Sequence, residues 1–153
     1  MDLYEFLKTI HVLFAVIWVG GAATTQILVS RLARANEPDR LAAFGKDIEV
    51  VGMRVFMPSS LIVLGAGIWM VIDAGWSFTD LWIIFGLVGI AFSAIVGATY
   101  LGPESGKIGK LIEERGPADA EVQSRMSRLF AVSRVELAIL LLIVINMVIK
   151  PGA

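Results

Sequence analysis

From Tyr4 to Val29 the chain carries only two charged residues, Glu5 and Lys8, both near the start of the stretch. A helix of this length spans the ~30 Å of hydrocarbon in a bilayer. Hydrocarbon offers no water to the backbone, so a crossing segment must close its own hydrogen bonds, and a helix does so. At helical spacing Tyr4, Leu7, Lys8, His11, Ala15, Trp18, Ala22, Thr25, Gln26 and Val29 fall on one side, with His11, Trp18 and Ala22 nearly superimposed. This side holds most of the polar groups of the segment, including the only histidine. Polar side chains in lipid turn toward other helices or a hydrated gap, so the seam is expected to face inward.

Composition agrees with a membrane chain. Of 153 residues, 57% are hydrophobic and 18% charged, and the mean hydropathy is +0.78, too apolar for an ordinary soluble domain. The length suits one transmembrane domain over 1–153. A net charge of −1 lacks the basic field of a nucleic-acid binder, so no nucleic-acid partner is expected. The absence of cysteine excludes disulfides, thiolate metal sites and cysteine nucleophiles. The start, Met1-Asp2-Leu3-Tyr4-Glu5, has neither the positive charge nor the cleavage site of a signal peptide and reads as retained.

Three further apolar runs follow, Val50 to Ile72, Leu81 to Leu101 and Leu129 to Ile149, giving four crossings. The expected fold is all-α: an up-and-down, integral-membrane four-helix bundle. The loop after the first crossing holds Arg31, Arg34, Arg40 and Lys46, and that before the fourth holds Lys107, Lys110, Arg115, Arg125 and Arg128. The loop between the second and third has Asp73 and Asp80 and no basic residue. The positive-inside rule then makes the basic loops cytoplasmic and both termini external; Lys8 and Lys150 dissent, as lysines that snorkel. Asn36-Glu37-Pro38-Asp39 looks like a helix start, with Leu41, Ala42, Phe44, Ile48 and Val51 as an apolar stripe lying on the membrane or running into the second crossing. Lys107 to Arg115 reads as a short amphipathic helix, Gly116-Pro117 as a break, and a new helix starts near Ala118. The halves share a layout without a residue-level repeat.

Gly89, Ser93 and Gly97 stand four apart in the third crossing and form a smooth strip for close helix approach, a packing device that also suits a homo-oligomer. Pro58 cannot donate to the carbonyl of Arg54, which implies a kink. Trp69, Trp76, Phe78 and Trp82 gather at the external turn as interface anchors, whereas Trp18 lies near mid-depth on the seam with an indole N–H to satisfy.

The candidate chemistry centres on His11. By depth, Met70 on the second crossing and Asn146 and Met147 on the fourth lie within reach. An imidazole carries protons or ligates haem iron or a soft metal, and methionine suits haem iron or Cu(I) as a second ligand. The plainer alternative is a neutral His11 bonded to Asn146 or a backbone carbonyl to fix packing. A second constellation, Thr25, Gln26, Arg54, Arg134 and Glu136, shares the depth of the basic end, and Glu136 pairing with Arg54 or Arg134 would hold the helices in register. Met53 and Met57 have the spacing of a Cu(I) pair but read as filler. No serine–histidine–carboxylate set, phosphate loop or zinc motif is present, so hydrolase chemistry is not expected and the chain reads as a non-enzyme.

Leu7-Lys8-Thr9-Ile10-His11, Trp18-Val19-Gly20-Gly21 and the polar end Arg31-Leu32 resemble the opening helix of the CopD-like superfamily of small bacterial membrane proteins. This group comprises copper-resistance D domains, HemJ-type protoporphyrinogen oxidases and an integral-membrane family of similar length and layout. Beyond the first thirty or so residues the resemblance rests on four crossings with basic inner loops, on Pro58-Ser59 and on Arg134 to Glu136. It implies His11 as a ligand to haem b or copper and a multi-pass place in the bacterial inner membrane. No second histidine and no lysine lies deep in a crossing, so a two-ligand haem would draw on His11 of two copies or on His11 with a methionine. The functional expectation is a lipid-embedded, oligomeric protein whose His11 seam binds haem or copper or lines a small-molecule path. The alternatives are a non-catalytic scaffold or accessory subunit, and a tetrapyrrole oxidase-like enzyme.

The cysteine-free background makes the orientation directly testable. In intact cells an impermeant maleimide should label Ser77→Cys but reach Lys46→Cys only after lysis; the opposite pattern would reverse the orientation.

Overall fold

The computed structural model describes residues 2–35 and 37–152, and no strand occurs among them. Six α-helices follow in order: α1 (Leu3–Ala35), α2 (Pro38–Val51), α3 (Met57–Asp73), α4 (Leu81–Val96), α5 (Gly102–Arg115) and α6 (Ala120–Ile149). Short π-helical turns, Gly52–Phe56 and Gly97–Leu101, join α2 to α3 and α4 to α5 without a break. The result is four continuous rods, Leu3–Ala35, Pro38–Asp73, Leu81–Arg115 and Ala120–Ile149, each long and apolar enough to cross a membrane. The all-α, four-helix membrane bundle is thus the observed architecture. Asn36, part of the expected helix start, lies outside the described residues; Pro38 does sit in the first turn of α2.

Both π turns begin at a glycine and are followed by a proline six residues beyond it, Gly52 with Pro58 and Gly97 with Pro103. A proline has no N–H for the carbonyl four residues back and its ring crowds that carbonyl. Widening the helix by one residue relieves the conflict: the N–H of Met57 bonds the carbonyl of Gly52, and that of Gly102 the carbonyl of Gly97. The α2 stripe thus runs into the second crossing, one of its two expected placements, and the expected separate helix from Lys107 to Arg115 is instead the continuation of the third crossing.

At ~1.5 Å per residue the rods exceed the ~30 Å hydrocarbon thickness, and the surplus projects at one end as α2, α5 and the adjoining ends of α1 and α6. These form a cap with its own core of Leu41, Ile108, Val122 and Met126, flanked by Leu32, Leu129 and Phe130. Val122 is 0% exposed. The stripe on α2 is therefore turned into the cap, with Leu41 and Ala42 buried. The break Gly116–Asp119 turns the chain, with Gly116 at φ +82°, and the Asp119 carboxylate caps α6 by accepting from the N–H groups of Glu121 and Val122. Arg125 clamps α6 to α5, bonding Glu104 at 2.7 Å and Glu121 at 3.0 Å, while Arg115 holds Glu121 at 2.8 Å.

Within the spanning region α1 packs most broadly on α3, α4 packs on α6, and α1 meets α6, whereas α3 and α4 touch little. The small-residue strip of α4 is covered by α6 of the same chain. A methyl group at Gly86 would strike the methyl of Met147, and one at Gly89 the side chain of Ile143. Ser93 is 2% exposed and hydrogen-bonded to Glu136. The strip thus serves as a packing device within the chain: at Gly89 and Ser93 it meets α6, because a glycine lets the bulky Ile143 seat against the α4 backbone. At the opposite end Trp76 stands edge-on to Trp82 at 4.9 Å and to Tyr4 at 5.9 Å. Lys150 caps these rings, its Nζ 4.4 Å from the Trp76 centroid and 4.9 Å from that of Trp82, so this lysine is held by cation–π attraction.

Gly89→Ala would drive a methyl into Cδ1 and Cγ1 of Ile143. Thermal unfolding in detergent should show a loss of roughly 1–3 kcal/mol, against none for Gly20→Ala, where nothing lies within 4 Å of the added carbon.

Candidate functional site

The α1 seam faces inward as its polarity requires. Trp18, Gln26 and Val29 are its buried members, while Val16 on the opposite side is 64% exposed. His11 is half-buried between α1 and α3, and its Nδ1 lies 2.8 Å from the carbonyl oxygen of Val63. A carbonyl only accepts, so Nδ1 carries the proton. In the neutral ring this leaves Nε2 as a bare lone pair, free of protein partners among the described residues.

The neighbouring sequence explains why this carbonyl is reachable. A helical side chain covers the turn before it, so residue i+4 overhangs the carbonyl of residue i. Three threonines show the reach: Thr9, Thr24 and Thr99 each donate to the carbonyl four residues back. Four residues after Val63 stands Gly67, with no side chain to intervene. A carbon added there would sit 3.1 Å from Cε1 and 3.3 Å from Nδ1 of the ring. The same device recurs on the other helix pair: Asn146 on α6 donates to the carbonyl of Trp82 at 2.7 Å, and the residue four beyond Trp82 is Gly86.

The expected ligand residues therefore divide. Met70 is buried on α3, one turn beyond Gly67, on the same side as Val63. Asn146 spends its amide on Trp82 rather than on His11. Met147 packs on the cluster of Val71, Trp82 and Ile83, its methyl over Gly86. Trp18 is buried at 8% exposure, and its indole N–H meets no acceptor among the described residues. Met53 and Met57 are exposed at 64% and 62%. No group of three or more histidine and acidic side chains gathers to hold a metal among the described residues.

The second constellation is rearranged. Among the described residues no ion pair involves Arg54, Arg134 or Glu136, and both arginines are exposed. The partner of Glu136 is Ser93, whose hydroxyl donates to Oε1 at 2.5 Å. Gln26 donates to the Ser133 hydroxyl at 2.8 Å, and its own Oε1 is buried without a partner. Thr25 is half-buried and joins none of these bonds. Glu136 and Arg134 are near in sequence, but their directions on α6 separate them, and no local pattern in the sequence pairs Glu136 with Ser93 on α4.

A family model described as predicted integral membrane protein (DUF2269) matches residues 5–151. The chain belongs to this family. The DUF2269 match reaches into all four rods and covers the cap. No curated protein and no solved structure matches the chain. Membership in DUF2269 carries no link to the copper-resistance D domains or the HemJ-type oxidases.

The glycine-uncovered carbonyl makes His11 and Gly67 a coupled pair. Gly67→Leu covers the Val63 oxygen and takes the space of the ring, and it should cost roughly 1–3 kcal/mol in detergent unfolding. His11→Ala should cost a similar amount, and the double variant clearly less than the sum; strict additivity would mean that the two sites do not interact.

Proposed function

We propose that His11 presents Nε2 as a ligand to a soft metal centre, Cu(I) or haem iron, in the α1–α3 seam of a bacterial inner-membrane protein whose α2–α5 cap faces the cytoplasm. The observation that carries this reading is the Nδ1–H bond to the Val63 carbonyl. Metal-binding histidines are oriented by such a bond, which fixes the tautomer and raises the basicity of the other nitrogen. Met70, on the same side of α3, supplies a thioether of the kind Cu(I) and haem iron accept. The seam is tight at the ring, with Gly67 against it, so an ion fits more readily than a macrocycle; a haem would need the bundle rim and a second copy of the chain. The metal, when bound, would supply redox or transfer chemistry, while His11, Val63 and Gly67 orient the ligand and the flanking helices exclude water.

A second reading, a non-catalytic scaffold, is favoured by one feature: the same bond ties together the two helices that pack most broadly. Protein purified in detergent, then offered Cu(I) under reducing conditions or hemin, separates the two. The ligand reading predicts stoichiometric copper or a Soret band that is lost in His11→Ala, with Met70→Leu weakening retention. Equal, negligible binding by both proteins would leave the scaffold.

A further inference from the structure

Glu136 lies seven residues past Leu129 on α6, which at ~1.5 Å per residue places it about 10 Å along the helix below the cap core that Leu129 flanks. Its carboxyl receives one protein hydrogen bond, from Ser93 on α4, a side chain 2% exposed. An unpaired charge at such a depth is costly, and the usual remedy is a basic partner. None is present among the described residues. The ion pairs lie in the cap, on α2, α5 and the start of α6. α4 has no ionisable side chain, and the π turn after it offers only Tyr100. On α1, His11 is engaged with Val63 in the other half of the bundle, and Arg31 lies toward the cap. On α5, Glu104 is held by Arg125 and Lys107. Arg54 and Arg134 are exposed.

A second observation stands one turn away. Ser133 precedes Glu136 by three residues and accepts from Gln26, whose Oε1 is buried and has no donor. Gln26 itself is 7% exposed. A buried acceptor without a protein donor is a place for an ordered water. The Ser133 hydroxyl, having accepted from Gln26, keeps its own proton to donate. Gln26, Ser133, Glu136 and Ser93 thus set polar groups of α1, α6 and α4 at one level beneath the cap.

We infer that Glu136 is a proton-binding site of the bundle, loaded and unloaded through water held by Gln26 and Ser133 on its cap side. The step is a plain proton transfer: an O–H bond of a hydrated proton breaks, one forms at a Glu136 carboxyl oxygen, and the reverse returns the proton to water. Ser93 donates to the carboxyl in either state. Sodium is the competing occupant, but it needs several oxygen ligands, and the one protein hydroxyl on this carboxyl points its hydrogen at it.

A hydrophobic carbodiimide tests the site, because it attacks carboxyls that hold a proton: the carboxyl oxygen bonds the central carbon, and the proton moves to nitrogen. With full-length protein in detergent and peptide mass spectrometry as readout, Glu136 should be modified, and the rate should fall roughly tenfold per pH unit above the midpoint. Glu136→Gln, which keeps an acceptor for Ser93, should abolish the adduct; Gln26→Leu should slow labelling several-fold; Gly20→Ala, where nothing lies within 4 Å of the added carbon, should leave it unchanged. Three outcomes would overturn the inference: no adduct at any pH in folded protein, a rate independent of pH, or protection by sodium chloride that potassium chloride does not give.

Discussion

Hydrocarbon supplies no hydrogen bonds, so a polar side chain within the crossings turns to its own helix, as Thr24 does, or to another one. The bundle meets this demand with interhelical bonds: His11 to Val63 between α1 and α3, Asn146 to Trp82 between α6 and α4, Ser93 to Glu136 between α4 and α6, and Gln26 to Ser133 between α1 and α6. The first two use the spare lone pair of a helical carbonyl that a glycine four residues on leaves uncovered. Helix pairing and polar satisfaction are therefore one problem, solved by where glycine stands relative to a carbonyl.

Two solvents act on the same rods. In the cap, water drives Leu41, Ile108, Val122 and Met126 together by the hydrophobic effect, and charged pairs fasten α5 to α6 around them. In the spanning region lipid tails are as apolar as leucine, so burial gives no such drive, and contact depends on small residues such as Gly86 and Gly89 under Met147 and Ile143. The π turns lie at the junction of the two regimes and keep two of the four rods hydrogen-bonded across it. A site near the junction, such as Glu136, has water on one side and a dry bundle on the other.

Much of this is legible in the chain. Four apolar runs and the polar side of α1 follow from hydropathy and helical period, and the inward burial of Trp18, Gln26 and Val29 matches the period. The boundaries do not follow as easily, because the polar composition of α2 and α5 ends the hydrophobic signal while the backbone hydrogen bonding continues through the π turns. The partner of Glu136 escaped charge-based reasoning: Arg54 and Arg134 have the complementary charge, but it is the modest Ser93 that sits on the α6 side of α4. The strip of Gly89, Ser93 and Gly97 reads as a packing face, but sequence cannot say which neighbour covers a smooth helix; here α6 meets Gly89 and Ser93. The His11–Val63 bond has a signal in the sequence, the glycine at the fourth position after the carbonyl, but its partner helix is fixed only by tertiary packing.

The most direct test of the His11 geometry is the state of its ring, and a single histidine makes the spectrum unambiguous. With nitrogen-15 histidine in lipid-reconstituted, metal-free protein, NMR should show a neutral imidazole protonated at Nδ1 and bare at Nε2. A ring protonated at Nε2, or one tumbling freely between tautomers, would contradict the account.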